Sequence, residues 1–255
     1  MQLTIIVPAY NEEKRLARML DEYLPFFSKI YRSDFEMLVE INGSSDQTAN
    51  IAEQYAAKFT QMKYIVEPKQ IGKGGAIMLG FAQAEGALIG FVDADGSTPP
   101  AAFQDLVARI GQADAIIASR WLRGAKVSPR QSWSRRMASR LFNGMVRLLF
   151  GLKFSDTQCG AKLIKRNAVR QILPNLGITR WAFDVDLLFQ LHRAGFQIIE
   201  IPSTWHDVAG TRLQFVRASL EMFVALVRLR LLYSPFNGIV AFYDRYFSHF
   251  VNIKR

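Results

Sequence analysis

The chain has 255 residues, of which 50% are hydrophobic, and it carries a formal net charge of +10. This composition excludes an intrinsically disordered chain, a collagen-like repeat and a small protein held together by disulfides. Cys159 is the only cysteine. An intramolecular disulfide and a cysteine-built metal site are therefore excluded, and a reducing compartment is the simplest interpretation.

The first half of the chain alternates segments typical of strands and of helices. We predict strands at 3–7, 36–41, 62–66, 88–92 and 115–118, and helices at 12–29, 46–59, 75–84 and 99–110. Strands that alternate with helices of this length indicate a parallel sheet with crossover helices. Ligands bind such sheets at the carboxyl ends of the strands, so the residues that follow each strand are candidates for function.

Beyond residue 120 the pattern is less regular. We predict a basic amphipathic helix at 133–150, an extended edge segment at 159–164, a helix at 181–193 and a strand at 198–201. Residues 215–250 are rich in Leu, Val, Phe, Tyr and Met with interspersed arginines, which is typical of helices that lie at a membrane interface. A core helix or a dimer interface is the alternative.

We therefore divide the chain into a catalytic domain at 1–210 and C-terminal amphipathic helices at 211–255. The longest stretch without a charged residue runs for 13 residues, from Leu231 to Tyr243. A spanning helix needs roughly 20 apolar residues, so we expect no transmembrane helix. We also expect no signal peptide, because the sequence lacks a basic leader and a small-residue cleavage site.

The positive charge belongs to the second half of the chain. Residues 1–119 contain 10 Lys and Arg against 15 Asp and Glu, whereas residues 120–255 contain 22 against 7. Between Asp114 and Asp156 there are nine basic residues and no acidic one. Such a block suits a polyanion, a phosphorylated substrate or an anionic membrane surface, and a solvated basic face is the alternative.

Two carboxylates follow the fourth predicted strand, in the sequence Asp93-Ala94-Asp95. Paired carboxylates at the end of a buried strand are costly unless a cation compensates them. A divalent cation that bridges a diphosphate is the obvious partner, because Mg²⁺ and Mn²⁺ prefer one or two carboxylates together with phosphate oxygens. A turn with a capping aspartate is the alternative.

Two further segments have features of a nucleotide site. Tyr10 follows the first strand and can stack on a base, while Asn11 or Glu12 can bond a ribose or a base; a turn that starts a helix is the alternative. Lys73 lies in the run GKGGA, where glycines permit close backbone approach and a helix N-terminus attracts anions. The glycine spacing of this run matches neither the Walker loop nor the G-x-G-x-x-G motif of dinucleotide-binding folds.

Together these motifs resemble the family 2 inverting glycosyltransferases. The resemblance rests on the runs VPAYNEE, NGSSDQT, GKGGA, VDADGS, DAIIASR, DTQCG-x-K, RWAFDVDLL and EIPSTW, in that order. They are most similar to the branch that glycosylates polyprenyl phosphates, which includes dolichyl-phosphate glucosyltransferases and mannose synthases. The resemblance implies a GT-A fold, an α/β architecture whose mainly parallel, Rossmann-like sheet has flanking helices.

The resemblance also implies the reaction and its alternatives. The reaction is metal-dependent, inverting transfer of a hexose to a polyprenyl phosphate such as dolichyl or undecaprenyl phosphate, with glucose from UDP-glucose as the first choice of donor. Mannose from GDP-mannose and transfer to a sugar hydroxyl are the alternatives. Outside the enzymes, the alternative is a degenerate transferase fold that binds polyanions or membranes. We expect no nucleic acid partner and a peripheral position on the cytoplasmic face of a membrane, with a homodimer as an option.

Roles of individual residues follow from the same resemblance. The nucleotide-sugar site comprises Pro8, Tyr10, Glu12, Asn42, Lys73, Asp93, Ala94, Arg120 and Arg212, and Asp93 and Asp95 hold Mg²⁺ or Mn²⁺. The acceptor phosphate is held by Arg135, Arg136 and Ser139. The catalytic residues are Asp95, Arg120 and Asp156, where Asp156 orients the acceptor or acts as a base.

Three further expectations concern single positions. Asn42 stands where the family usually has an aspartate, and because Asn both donates and accepts, a base contact is retained while the choice of base stays open. Asp184 is expected to position its helix and Asp186 to approach the transfer site. A phosphate monoester is mostly dianionic at pH 7 and needs cations more than a strong base, which fits the basic block.

Overall fold

A computed structural model describes residues 1–129, 132–177, 182–206, 215–235 and 238, with no description of the side chains of residues 215–220. The strands are β1 (Leu3–Ala9), β2 (Phe35–Asn42), β3 (Met62–Glu67), β4 (Leu88–Phe91), β5 (Ala115–Ser119), β6 (Lys126–Ser128), β7 (Lys162–Lys165), β8 (Ile198–Pro202) and β9 (Thr204–His206). The helices are α1 (Leu16–Tyr31), α2 (Thr48–Lys58), α3 (Gly72–Gln83), α4 (Pro100–Arg109), α5 (Trp133–Phe150), α6 (Arg166–Ile172), α7 (Phe183–Arg193) and α8 (Phe215–Leu232).

Seven strands form one sheet in the order β3-β2-β1-β4-β7-β5-β8, and β6 pairs with β9 separately. All pairs in the large sheet are parallel except those of β7, which runs antiparallel to β4 and β5. The predicted α/β class with a mainly parallel sheet is therefore confirmed. The five strands predicted in the first half are all present.

The prediction of an edge segment at 159–164 was wrong. β7 lies inside the sheet, where both of its sides are hydrogen-bonded to neighbouring strands. Charged residues are common on edge strands, but the Lys162 side chain is 0% exposed and its Nζ lies 2.6 Å from Asp184 Oδ1. A buried ion pair thus allows a lysine in a central strand.

Helices cover both faces of the sheet. Alternate side chains of a strand point to opposite faces, so Ile5 and Val7 pack with α1 and α4, whereas Ile6 and Leu38 pack with α3 and α7. Because both faces are buried, the strands read as nearly continuous apolar runs. The residues that follow the strands are therefore the ones whose polar side chains can reach a ligand at the edge of the sheet.

Helices α5, α7 and α8 share a third apolar cluster. Phe142 and Val146 of α5 meet Leu226 and Leu229 of α8 there. The predicted boundary between 1–210 and 211–255 lies among residues that the structure does not describe, so this division stays a prediction. Within the part of the chain that the structure describes, no helix combines the length and the apolar character needed to cross a membrane.

Strand β2 buries a carboxylate among apolar neighbours. Glu40 is 1% exposed and lies in register between Pro8 of β1 and Ile65 of β3. Neither of its side-chain oxygens has a hydrogen-bond partner among the described residues. Burial raises the pKa of Glu40 to about 7, because the ionised form loses its hydration. Ionisation of Glu40 therefore opposes folding.

Glu40→Gln is expected to remove a pH-dependent destabilisation. The folded state holds this proton more tightly than the unfolded chain, whose pKa is 4.5, so wild-type stability falls as the pH rises from 4.5 through about 7. The loss amounts to up to about 3 kcal/mol. The variant's advantage in unfolding free energy, measured in urea, should therefore grow from about pH 5 to about pH 8.

Glu53→Gln on α2 is the matched control, because Glu53 is exposed. Its unfolding free energy should stay close to that of wild type at each pH tested, because an exposed side chain contributes little to stability. A Glu40→Gln difference that is equally flat would contradict a buried, protonated Glu40.

Candidate active site

The carboxyl ends of β1, β2 and β4 surround a cavity of about 560 Å³. Its lining contains eight predicted residues, namely Pro8, Tyr10, Glu12, Asn42, Lys73, Asp93, Ala94 and Asp95. It also contains five that were not predicted as ligands of the nucleotide sugar, namely Arg15, Gln70, Gly72, Gln158 and Asp184. The topology thus brings the residues after three parallel strands together at one edge of the sheet.

Strand β7 adds a fourth segment to this edge because it runs in the opposite direction. Its amino end lies beside the carboxyl ends of β4 and β5, so the loop at 156–160 reaches the site. The approach is very close, because a Cβ on Gly160 would overlap the carboxylate of Asp93. Only glycine fits at this position while Asp93 keeps its place.

Alternating charges link the core to the cavity. Lys162 Nζ lies 2.6 Å from Asp184 Oδ1, and Lys73 Nζ lies 3.9 Å from Asp184 Oδ2 and 2.7 Å from Asp93 Oδ1. Burial opposes ionisation of Asp184, but Lys162 and Lys73 outweigh it and lower its pKa. Asp184 is therefore an anion held between two lysines.

The two acids of α7 have roles different from those expected. Asp184 lines the cavity, whereas Asp186 accepts hydrogen bonds from Tyr233 Oη at 2.6 Å and from the backbone of Gly177 at 3.1 Å. Residues two apart on a helix point in different directions, about 200° apart. Asp186 therefore points away from the cavity that it was expected to approach, and Asp184 lines this cavity instead.

Asp95 is the less compensated member of the acidic pair. It accepts a 2.8 Å hydrogen bond from the backbone of Ser97. Burial and the negative charge of Asp93 together raise the pKa of Asp95. Among the described residues there is no cluster of three or more His, Cys, Asp or Glu side chains suited to a metal ion. A cation bound here would have two carboxylates from the protein and further ligands from substrate or water.

Asn42 is already engaged by the backbone. Its Nδ2 donates to the carbonyl of Ala9 at 3.2 Å, and its Oδ1 accepts from the amide of Gly72 at 3.1 Å. The side chain therefore ties the end of β1 to the start of α3. The helix begins at Gly72 rather than at 75 as predicted, which places Lys73 in its first turn. A contact between Asn42 and a base stays a prediction.

Tyr10 and Glu12 lie at the opening of the same cavity. Tyr10 is 45% exposed, so its ring is accessible for stacking. Glu12 is bonded by Arg15 through both oxygens, at 2.6 and 2.8 Å. Burial raises the pKa of Glu12, while Arg15 partly offsets this effect. Arg15 was not predicted from the sequence, although its i,i+3 spacing from Glu12 within the predicted helix at 12–29 is typical of an ion pair.

Arg120 and Asp156 form a tight pair beside the cavity. Asp156 is 0% exposed and accepts from the Arg120 backbone amide at 3.0 Å, from Nε at 2.7 Å and from Nη2 at 2.9 Å. The guanidinium also stacks over Trp205, 5.1 Å from the ring centroid. Both carboxylate oxygens are occupied, so the geometry favours Asp156 as the residue that orients Arg120. Neither residue lines the cavity.

The residues predicted for the acceptor phosphate lie on α5. Ser132 caps this helix by accepting from the backbone amide of Arg135, and Arg136 is in the first turn. Ser139 Oγ accepts from Trp121 Nε1 at 3.1 Å, next to Arg120 in the chain. None of Arg135, Arg136 and Ser139 lines the cavity described above. Arg212 lies outside the described residues.

Two residues of the DTQCG run, Cys159 and Gln158, differ in whether their side chains can take part in binding or catalysis. Burial raises the pKa of the Cys159 thiol to about 12, so the thiol stays protonated and is a poor nucleophile. Gln158 lines the cavity, and its Nε2 is buried with no hydrogen-bond partner among the described residues. A buried amide donor without a partner is costly, so a ligand with an acceptor oxygen would satisfy it.

Comparison with known proteins identifies the family. The family model described as glycosyl transferase family 2 matches residues 4–173. The chain belongs to glycosyltransferase family 2. Family 2 proteins are transferases, so the resemblance of the motifs is confirmed at this level.

Curated relatives of this family 2 chain include the dolichyl-phosphate beta-glucosyltransferases of Homo sapiens and Saccharomyces cerevisiae. The one from Homo sapiens is 34% identical over 245 residues, covering 91% of this chain and 76% of the relative. The one from Saccharomyces cerevisiae is 30% identical over 250 residues, covering 91% and 75%. The similarity thus extends well beyond the segment that the family model matches.

Solved structures share the fold at low sequence identity. Glucosyl-3-phosphoglycerate synthase from Mycobacterium tuberculosis, in complex with Mn²⁺, UDP-glucose and phosphoglyceric acid, is 17% identical with a TM-score of 0.65, covering 90% of this chain and 79% of that one. TarS from S. aureus is 19% identical with a TM-score of 0.58, covering 100% and 76%. The expected GT-A fold is confirmed.

Gly160→Ala is expected to disable the site while the chain still folds. The added methyl group displaces Asp93, and a misplacement of about 1 Å lowers the rate of glycosyl transfer by about 100-fold. The steric cost to stability is about 1–3 kcal/mol. Initial rates and thermal unfolding measure the two effects.

Gly144→Ala on α5 is the control, because a Cβ there meets nothing within 4 Å. It should retain wild-type rates. Full activity in Gly160→Ala would contradict the packing of this loop on Asp93.

Proposed function

We propose that this chain catalyses inverting transfer of glucose from UDP-glucose to a polyprenyl phosphate. The observation that supports it most is the placement of Asp93 and Asp95 on a 560 Å³ cavity in a family 2 chain about one third identical to dolichyl-phosphate beta-glucosyltransferases. The presence of UDP-glucose in a structural neighbour supports the choice of donor.

A divalent cation, Mg²⁺ or Mn²⁺, is part of this proposal. Asp93 and Asp95 would hold it, and the raised pKa of Asp95 fits a carboxylate that lacks a cationic partner. When bound, the metal supplies positive charge to the departing diphosphate. Neighbours crystallised with Mn²⁺ or Mg²⁺ support a divalent cation in this fold.

Residues of the chain supply the remaining charge and shape. Lys73 is fixed between Asp93 and Asp184, so it offers a positioned cation to a phosphate at the start of α3. Gln158 can donate to an oxygen of the sugar or the diphosphate. Tyr10 would stack on the base, and Arg120, oriented by Asp156, would provide a guanidinium on the α5 side.

The acceptor side of the proposal rests on the basic block. Arg135, Arg136 and Ser139 would hold the phosphate, which needs no strong base to attack because it is already anionic near pH 7. The protein would be peripheral, on the cytoplasmic face of an anionic membrane, with the region at 211–255 contributing membrane or dimer contacts. GDP-mannose as donor remains the main alternative.

UDP-glucose with Mn²⁺ should stabilise the protein more than GDP-mannose with Mn²⁺. A ligand at 100 times its dissociation constant adds about 2.7 kcal/mol to the free energy of unfolding. For a chain of this size we therefore expect the melting temperature to rise by about 5–10 °C. Thermal-shift measurements with matched concentrations test this expectation, and a larger shift with GDP-mannose would favour the mannose alternative.

Asp95→Asn should abolish most of the transfer from UDP-glucose to a short polyprenyl phosphate. The variant removes one carboxylate that faces the cation, and a loss of about 100-fold or more is expected from weakened stabilisation of the diphosphate. Its melting temperature should not fall, because burial already disfavours the ionised form of Asp95.

Asp105→Asn on α4 changes the same charge at an exposed position and should behave as wild type. If Asp95→Asn retains full activity in Mg²⁺ or Mn²⁺, the proposed role of the acidic pair is wrong. Equal activity of wild type with and without a chelator would contradict metal dependence.

A further inference from the structure

Strand β3 forms one edge of the large sheet, where only β2 pairs with it. The amide of Met37 donates to the carbonyl of Gln61 at 2.9 Å, and the amide of Gly43 donates to the carbonyl of Glu67 at 2.8 Å. In a parallel pair, alternate residues of a strand direct their backbone groups to the same side. The odd-numbered residues from 61 to 67 therefore face β2.

The backbone groups on the outer side of β3 belong to Tyr64 and Val66. Both residues lie between those that face β2, so their N–H and C=O groups point away from the sheet. No other residue that the structure describes forms a hydrogen bond with these groups. The Val66 side chain is also 52% exposed. Such an open row can accept a further strand, and natural proteins usually block it.

Two blocking devices are present near this row. Lys63 is a charged residue of the kind that protects edge strands, and its Nζ lies 3.0 Å from Glu36 Oε2. Pro68 follows the strand directly and has no amide hydrogen, so the open row ends there. The strand at the opposite edge, β8, itself ends in Pro202, which cannot donate to a further strand. β3 is therefore the edge of this sheet that is better suited to pairing.

The sequence of β3 is complementary to itself when a second copy runs antiparallel about Ile65. In this register Lys63 lies opposite Glu67, and Tyr64 lies opposite Val66 of the second copy. The two pairs of Tyr64 and Val66 would exchange four backbone hydrogen bonds, because both residues direct their backbone groups outward. The pairs between Lys63 and Glu67 and between the two Ile65 residues are of the closer, non-hydrogen-bonded kind.

Other registers lack this complementarity. A shift of two residues in one direction places Lys63 opposite Ile65, which leaves an ammonium group beside an apolar side chain. A shift of two residues in the other direction places Lys63 opposite Lys69 and Tyr64 opposite Pro68. Like charges directly opposite each other destabilise a pair, and proline cannot return a hydrogen bond. Lys63 therefore acts against every register but the one that brings it to an acid.

We propose that β3 is the contact by which two copies of this chain form a two-fold symmetric dimer, with their sheets joined about Ile65. The contact is isologous, because each copy offers the same strand and Lys63 of either copy meets Glu67 of the other. This inference goes beyond the proposed function, and the surface does not involve the region at 211–255.

The symmetry of this dimer suits the position of the helices. The two-fold axis of an antiparallel pair is perpendicular to the sheet, so α3 and α7, which cover one face, lie on the same face in both copies. Helices α5 and α8 share a cluster with α7 and are therefore also brought to that face. The helix with the basic residues predicted for the acceptor is thus presented on one side of the dimer by both copies.

The dimer contact is also continuous with the lining of the cavity. Strand β3 leads into the loop that carries Gln70 and Gly72 to the cavity. A Cβ on Gly43 would lie 2.8 Å from the backbone nitrogen of Gln70, so this loop is packed closely on the end of β2. The second copy would hold the strand that precedes this loop, and it would contribute no residue of its own to the cavity.

Val66→Pro tests the contact by removing an outward amide. The variant keeps the ladder between β2 and β3, because the Val66 amide does not face β2. Each dimer would lose two of its four intermolecular hydrogen bonds, so the dissociation constant should rise by about tenfold or more. Sedimentation velocity of the full chain over a range of concentrations measures this constant.

Val66→Thr is the matched control, because it keeps the amide and the branched Cβ. It should dimerise as wild type does. A wild type that stays monomeric over the whole concentration range would overturn the proposal and leave this edge to a strand of another protein. A Val66→Pro dimer as tight as that of wild type, or an equal loss in Val66→Thr, would also overturn it.

Cysteine cross-linking tests the register and does not depend on whether Val66→Pro folds. Two Ile65→Cys chains would face each other at the two-fold axis, within the distance that a disulfide spans. Mild oxidation should therefore give a covalent dimer, whereas wild type should give none because Cys159 is 0% exposed.

Val66→Cys is the control for cross-linking, since its two thiols would be offset by two residues, beyond the about 7 Å that a disulfide allows between Cα atoms. Equal cross-linking of both variants, or none with Ile65→Cys, would contradict pairing about Ile65. These measurements do not use glycosyl transfer, so they decide the dimer contact whether or not the proposed function is correct.

Discussion

The site depends on a lysine that is buried in the middle of the sheet. Lys162 has no exposed surface, and its charge requires Asp184, which in turn faces Lys73 and through it Asp93. Burying ions costs several kcal/mol each, so such a series is stable only when every member has a partner. The buried pair of Lys162 and Asp184 thus helps to hold Lys73, and Lys73 in turn holds Asp93 at the cavity.

The antiparallel direction of β7 brings the loop at 156–160 to the cavity. A parallel strand would direct its amino end away from the cavity, and the loop at 156–160 would lie at the opposite edge of the sheet. Because β7 is antiparallel to its neighbours, one loop supplies Asp156 to Arg120, Gln158 to the cavity and Gly160 to the surface of Asp93. The cation-rich half of the chain and the acidic nucleotide half meet at this loop.

Most of the cavity lining could be located from the sequence, because residues that follow parallel strands meet at one edge of the sheet. Apolar runs located β1, β2 and β4, and the residues after them proved to share one cavity. Partners remote in sequence could not be inferred in the same way: no local pattern links Lys162 to Asp184 or shows that Asn42 bonds two backbone groups. The antiparallel direction of β7 was likewise hidden, since four residues are too few to give a directional signal.

The packing of Gly160 on Asp93 ties two distant parts of the chain together during evolution. Any side chain at 160 collides with the carboxylate at 93, so the two positions cannot drift independently. With an acid at 93, a side chain at 160 is accommodated only when that carboxylate moves from its present position. In an alignment of related chains, substitutions at positions 93 and 160 should therefore occur together.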